Sequence, residues 1–331
     1  MRIAVFSTKS FDREFFERSN KNFTDIHLKF FDVPLNTDTA KLTKGYEGIC
    51  VFVNDQLNAE TIALLKENDV KLIALRCAGF NNVDLKAAEE HGLKVVRVPA
   101  YSPQAVAEHA LALIMTLNRK THKAYNRVRE GNFSLERLIG FDVHNRTVGV
   151  IGTGKIGMHF CKIMQGLGCR VIAYDKYPSD TVKGMGIPYV TLDELFAQAN
   201  IISLHCPLTE ETEHLINEVS LSKLKKGTML INTSRGALID TTCAIEALKS
   251  GQLGYLGIDV YEQEEQLFFR DLSESIIKDD QIMRLISFPN VLITAHQGFL
   301  TNEALEQIAI VTLTNIEQFS KGQKLENEVV L

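Results

Sequence analysis

The stretch Val148-Gly149-Val150-Ile151-Gly152-Thr153-Gly154-Lys155-Ile156-Gly157 decides the fold of this chain. Its first four residues read as a buried β-strand, and Gly152 permits a tight turn at the strand's end. Gly154 lets backbone approach a pyrophosphate, and Gly157 allows close packing of the following helix on the sheet. That helix, expected over Ile156–Leu167, directs its N-terminal amides and dipole at a diphosphate. Thr153, Lys155 and Ile156 complete the loop. The next strand, Val171-Ile172-Ala173-Tyr174, ends in Asp175, 23 positions after Gly152. A carboxylate there accepts hydrogen bonds from ribose hydroxyls and repels a 2′-phosphate, which favours NAD over NADP, while Lys176 next door weakens the preference. A bare G-x-G-x-x-G could equally be a glycine turn without a ligand. Strand, loop, helix, strand and terminal acid in that order make it a dinucleotide fingerprint.

Working outward, short β-branched runs alternate with helical patterns almost throughout, as in α/β proteins with parallel sheets. After the fingerprint strand come candidates at Arg170–Tyr174, Ile201–Leu204, Met229–Ile231, Tyr255–Val260 and Val291–Thr294. Ahead of it lie Ile3–Ser7, Ile26–Phe31, Ile49–Val53, Leu72–Arg76 and Val95–Val98. These runs are nearly continuously apolar, as expected when helices cover both sheet faces. Helices are expected at Ala59–Glu67 and Leu85–His91, the latter stopped by Gly92. Between the two series, Pro99-Ala100-Tyr101-Ser102-Pro103 marks a boundary: Ser102 can cap a helix and Pro103 can occupy its first turn. The long helix that follows is apolar nearly all round and carries His109 and His122. It must be buried on several sides, either between the chain's own domains or in a homodimer or higher homo-oligomer built through residues 103–129. Glu262–Glu265 and Asp271–Asp280 read as a long loop.

Composition narrows the function classes. At 331 residues the chain has room for about two domains. A net charge of −5 gives no basic field for nucleic acid. No apolar run reaches the ~18–20 residues of a membrane helix, and residues 1–7 read as a strand and not as a signal segment. Six cysteines without a C-x-x-C pair point to buried thiols in a reducing cytoplasm, not to disulfides or a metal site.

Three charged residues fall just beyond expected strands of the second series, where open α/β sheets bind ligands. They are Arg235 in Asn232-Thr233-Ser234-Arg235-Gly236, Glu264 in Asp259-Val260-Tyr261-Glu262-Gln263-Glu264, and His296 in Ala295-His296-Gln297-Gly298. Histidine titrates in the range needed to protonate a nascent alkoxide. A carboxylate beside it holds the ring and favours its charged form. A guanidinium grips a substrate carboxylate bidentately and polarises the neighbouring carbonyl. Taken singly, each residue also has a structural reading, and three glutamates in four residues leave the choice of Glu264 open. His205, after Ile201–Leu204, reads as a cofactor-side or structural residue; His109 and His122 read as packing or interface residues.

Gly152–Gly157 with Asp175, His205-Cys206-Pro207-Leu208-Thr209, Asn232–Gly236, Asp259–Glu264 and His296 together resemble the D-2-hydroxyacid dehydrogenase family over essentially the whole chain. The resemblance implies two doubly wound parallel-sheet α/β domains. A Rossmann NAD-binding domain (101–298) is inserted into a flavodoxin-like substrate domain (1–100 and 299–331), with the C-terminal helix, about Asn302–Lys321, returning to the first domain. It further implies that Arg235 binds substrate, Glu264 tunes His296, and His296 is the acid/base. Asp259 meets the nicotinamide carboxamide, and His205, Cys206, Pro207, Thr233 and Ser234 face the cofactor. The stretches Leu75–Asp84, Val98–Pro103 and Gln266–Asp271 are similar to the fermentative bacterial branch, which interconverts pyruvate and D-lactate. There Ala78 and Gly79 offer backbone N–H groups to the substrate carboxylate and Tyr101 closes over the substrate. Phe299 stands where some relatives carry a tyrosine, so a hydroxyl contact is missing. Two other readings stay open: a larger 2-oxo acid as substrate, and an NAD-sensing binding protein on the same scaffold.

Overall fold

A computed structural model describes residues 1–330, the side chain of Gln266 excepted; Leu331, the end of the expected substrate domain, lies outside the described residues. The chain divides into two compact units, Met1–Ser102 with the segment from Leu300 onward, and Pro103–Phe299. Relative to the expected boundaries, Tyr101 and Ser102 fall in the first unit and Phe299 in the second.

The first unit holds a five-stranded parallel sheet: β1 (Arg2–Val5), β2 (His27–Phe30), β3 (Gly48–Val51), β4 (Leu72–Leu75) and β5 (Lys94–Val96), in the order β2-β1-β3-β4-β5. This is the flavodoxin-like order. Strands β3 and β4 are buried along their whole length, as their unbroken apolar sequences require. The expected strand Ile3–Ser7 stops at Val5, because Ser7 turns into the left-handed region at φ 52°. Helix Ala59–Glu67 starts on Asn58, whose side chain accepts from the Thr61 N–H, and Leu85–Glu90 starts on Asp84, which accepts from Ala87. Gly92, at φ 69°, ends the latter helix as expected. The C-terminal helix Asn302–Ser320 packs on helix Ser10–Asn20 and on β4. Beyond it, Val329 donates to the Val95 carbonyl at 2.8 Å, and Lys94 pairs with Glu328 at 2.7 Å.

The second unit holds six parallel strands: β6 (Thr147–Ile151), β7 (Arg170–Tyr174), β8 (Ile201–Leu204), β9 (Thr228–Asn232), β10 (Leu253–Ile258) and β11 (Val291–Ile293), ordered β11-β10-β9-β8-β6-β7. A single parallel bridge from Tyr189 to Ala173 extends the sheet beyond β7. Counted as a strand, it restores the Rossmann order 3-2-1-4-5-6 with β11 added at the far edge. The six-strand expectation omitted this bridge, which is too short to leave a hydrophobic run. Alternate residues feed two cores. Val148, Val150, Met229 and Ile231 face one, with Ala110, Leu113 and Phe160; Ile151, Ile202, Leu230 and Leu256 face the other, with Leu195, Leu248 and Leu285.

The long helix expected after residue 103 is two helices, Pro103–Arg119 and Thr121–Arg129, broken where Lys120 takes φ 50°. His109 and His122 therefore belong to different helices. The first helix buries its apolar side against helix Lys155–Gly166 and strands β9 to β11 of its own unit, so its burial needs no partner. Among the described residues no helix is long and apolar enough to cross a membrane.

Candidate active site

The β6/β8 junction is where successive connections leave the sheet in opposite directions, and the fingerprint loop sits on it. Gly152 has φ 93°, and a Cβ there would lie 2.4 Å from the Cys206 nitrogen at the end of β8. A Cβ on Gly157 would lie 1.9 Å from the Gly152 carbonyl oxygen, so the loop and helix Lys155–Gly166 close on each other only with glycine at both positions. Gly154 is different: a Cβ would meet nothing within 4 Å, and its open side is the approach a pyrophosphate needs. Asp175 anchors the same loop. Its Oδ2 accepts from the Thr153 N–H at 2.6 Å and from the Thr153 hydroxyl at 2.9 Å, which in turn accepts from Tyr189 at 2.7 Å. Lys176 is drawn away from the loop into a pair with Glu211 at 2.6 Å.

The other residues expected on the cofactor side follow the next strands, β8 and β9. His205 packs against Phe160 with ring centroids 4.9 Å apart and the planes tilted by 46°, and bonds Ser203 Oγ at 2.9 Å. Burial pushes its imidazole down to about 3, so it is neutral at working pH and no proton donor. Ser234 Oγ donates to the Cys206 carbonyl at 2.6 Å, tying the ends of β8 and β9 together, while Pro207 is exposed. The Thr233 hydroxyl is buried and has no partner among the described residues. An open Gly154, a ribose-level carboxylate and this orphaned hydroxyl along one rim fit an NAD molecule.

Arg235, Glu264 and His296 follow three adjacent strands, β9, β10 and β11. His296 Nδ1 lies 2.8 Å from Glu264 Oε1, and Glu264 Oε2 accepts from the Tyr261 N–H at 2.9 Å. The ambiguity among the three glutamates is thereby resolved. Glu262 turns away to His214, Glu265 is exposed, and only Glu264 reaches the imidazole. The His296 backbone sits at φ 54°, an uncommon conformation for a residue with a Cβ, of the kind found at sites where geometry is imposed from outside. Arg235 donates through Nη1 to the Ser234 carbonyl at 2.7 Å and meets no carboxylate of the described chain. A half-buried guanidinium at the end of β9, with N–H groups that no described residue engages, is able to receive an anionic group.

The conformation of His296 has an identifiable cause, and sequence reasoning missed part of it. Asp259 Oδ1 accepts from the Gln297 N–H at 2.8 Å and Oδ2 from Gly298 at 2.8 Å, while the Asp259 carbonyl accepts from the His296 N–H at 2.7 Å. Thr294 Oγ1 also donates to Asp259, and His109 Nε2 lies 3.3 Å from it and 3.0 Å from Thr294. Burial raises the Asp259 carboxyl, but these hydrogen bonds and His109 outweigh it and hold the group below the usual carboxylate range. His109, read as a packing residue, is thus part of the support for the His296 loop. Its only signal was a polar side chain on an apolar helix face.

The remaining expected residues are in the first unit or at its boundary. The carbonyl of Ala78 accepts from Arg97 at 2.8 Å and that of Gly79 from Cys77 Sγ, while the N–H groups of Ala78 and Gly79 have no acceptor among the described residues. Tyr101 is half-buried and Phe299 buried.

Residues 111–298 match the family described as D-isomer specific 2-hydroxyacid dehydrogenase, NAD binding domain. The chain is 53% identical to the D-lactate dehydrogenase of Escherichia coli (strain K12) over the full length of both. The apo-structure of the E. coli enzyme superimposes with a TM-score of 0.92, covering all of both chains. The pyruvate reductase of Chlamydomonas reinhardtii, 48% identical, superimposes with a TM-score of 0.94 over 99% of this chain and 98% of its own.

Proposed function

The chain belongs to the D-2-hydroxyacid dehydrogenase family, and we propose that its reaction within that family is the reversible reduction of pyruvate to D-lactate with NADH. The observation that carries this reading is the 2.8 Å contact between His296 and Glu264 on the rim that also bears the unpaired Arg235. NADH, when bound, supplies the hydride for the carbonyl carbon. Gly152–Gly157, with the loop amides, hold its diphosphate, and Asp175 takes its ribose hydroxyls. His205, Cys206, Pro207, Thr233, Ser234 and Asp259 lie along its path.

Arg235 grips the pyruvate carboxylate at two points and polarises the carbonyl. Phe299, at the end of the same unit as Arg235, gives the substrate apolar cover. Because Nδ1 of His296 faces Glu264, its proton for the nascent alkoxide sits on Nε2. Glu264 stabilises the imidazolium before transfer and keeps the ring in place after it. Pyruvate reduction draws this proton from His296, and lactate oxidation returns one to it.

The test is a panel of 2-oxo acids of increasing side-chain size with NADH and chiral analysis of the product. Pyruvate is expected to react fastest and to give only the D-isomer. Formation of L-lactate, or preference for a branched or larger acid, would overturn the assignment.

We propose also that the protein is a cytoplasmic homo-oligomer, at least a dimer. The first helix of the 103–129 region is buried within its own unit, and the uncovered apolar side chains follow it. Phe133, Leu135 and Ile139 are 74%, 80% and 85% exposed, beside exposed Tyr125 and Val128. So many large apolar groups in one segment mark an association surface. Sedimentation should give a multiple of 37.1 kDa, and Leu135→Glu with Ile139→Glu should shift it toward the single-chain mass. A parent protein sedimenting as a single chain at micromolar concentration contradicts the proposal.

A further inference from the structure

Besides His296 and Glu264, the second unit holds another histidine–glutamate pair. His214 Nε2 lies 2.6 Å from Glu262 Oε1, and the other oxygen of Glu262 accepts from the Thr241 hydroxyl at 3.0 Å. His214 lies in the loop after β8 and Glu262 in the loop after β10, and their attachments lead to the Arg235 and Glu264 segments. His214 sits in a loop stitched to the segment after Arg235: its N–H donates to the Ala237 carbonyl at 2.8 Å, Ile216 to Leu238 at 3.0 Å, and Asp240 back to Ile216 at 2.9 Å. Glu262 follows Tyr261, whose N–H fixes Glu264 Oε2. The two supports meet at Gly236, where a Cβ would lie 2.1 Å from the Tyr261 carbonyl carbon and 2.3 Å from the Glu262 nitrogen. The backbone directly after Arg235 thus approaches the Tyr261–Glu262 peptide of the Glu264 turn so closely that no side chain fits between them.

We propose that His214 is a positioning residue for the reaction: through Glu262 it clamps this junction, so that the Arg235 loop and the Glu264 turn hold their side chains in register. The role rests on the functional assignment of Arg235, Glu264 and His296. His214 takes φ 47°, a conformation its own loop does not favour, and Asn217 Nδ2 holds its carbonyl at 2.9 Å. Charged groups facing it are Glu262, Asp240 and Glu213; the bond to Glu262 raises the imidazole above its ordinary value, burial opposes this, and the charges of the three acids add to the rise. The charged clamp is therefore complete below that raised value and weakens as pH rises through it, leaving a neutral Nε2–H donor.

The test uses the full-length protein with His214→Ala, Glu262→Ala, the double variant and Glu262→Gln. Each alanine variant is expected to lower kcat roughly tenfold, the order of loss that a small misplacement of reacting groups produces. NADH affinity should stay within about twofold of the parent, because the diphosphate loop is elsewhere. The alkaline limb of the pyruvate-reduction profile should move to lower pH, since a Glu264 that wanders supports the charged His296 less well. The double variant should be no worse than either single one, as members of one clamp are not additive. Glu262→Gln, which keeps the shape and an acceptor for His214, should recover most of the loss. An unmoved limb, additive losses, or no rescue by glutamine would each overturn the proposal, and Glu262→Gln keeps the test open should an alanine variant not fold. NMR titration of the His296 ring, recorded without substrate, should show the same displacement. That readout separates failure of the clamp from failure of the pyruvate assignment.

Discussion

Replacing His296 with alanine should lower kcat for pyruvate reduction by ~10²–10⁴, the usual worth of a positioned general acid. Such a loss requires that no other group take over the proton, and the surroundings meet that requirement. His109 has its Nε2 engaged with Asp259 and Thr294. His205 is held neutral, its imidazole pushed down to about 3 by burial. Glu264 reaches only toward the removed ring and the Tyr261 N–H. The variant should still bind NADH, since the diphosphate loop and Asp175 make no contact with His296, and the alkaline limb of the pH–rate profile should disappear. Stopped-flow reduction at saturating NADH measures the step directly. A variant within tenfold of the parent would remove His296 from the acid/base role.

The second large effect is expected at Arg235. A lysine keeps the charge but presents a point donor where the guanidinium presents a planar fork. Part of that fork is already committed: Nη1 donates to the Ser234 carbonyl at 2.7 Å, which orients the remaining N–H groups toward a ligand. Lysine has no rigid second donor to keep this anchor while gripping a carboxylate at two points. A charged hydrogen bond contributes about 1.5–3 kcal/mol, so losing one prong should lower kcat/KM for pyruvate by roughly 10- to 10²-fold. The KM for NADH should hardly change. Steady-state rates of Arg235→Lys across pyruvate concentrations decide the matter, and an unchanged kcat/KM would mean that the guanidinium serves the fold and not the substrate.

Much of the site can be read in the chain because its pieces are local. A strand, a glycine turn, a helix and a terminal acid are contiguous from Val148 to Asp175, and the structure places them as such. The chemical groups after β9, β10 and β11 stand out because strand ends are easily located by hydrophobic runs. What periodicity could not supply is the choice between groups a residue or two apart. Glu262, Glu264 and Glu265 differ only in where a short turn points them, and only the fold sends Glu262 to His214 and Glu264 to His296. His109 was hidden for another reason. Its partners lie 150 and 185 positions away, and a helix face records burial, not the chemistry on the far side of the contact. The break at Lys120 carries no glycine or proline, so nothing in the pattern announces it.

The return of the last helix to the first unit bears on the order in which the molecule can be assembled. Pro103–Phe299 is continuous and contains both faces of its own sheet, so it can reach its final form as soon as those residues have been synthesised. The first unit cannot. Its strand β4 and helix Ser10–Asn20 await helix Asn302–Ser320, and β5 awaits the segment around Glu328 and Val329. The portion made first is thus the portion finished last, held open while 197 intervening residues (103 through 299) are made and folded.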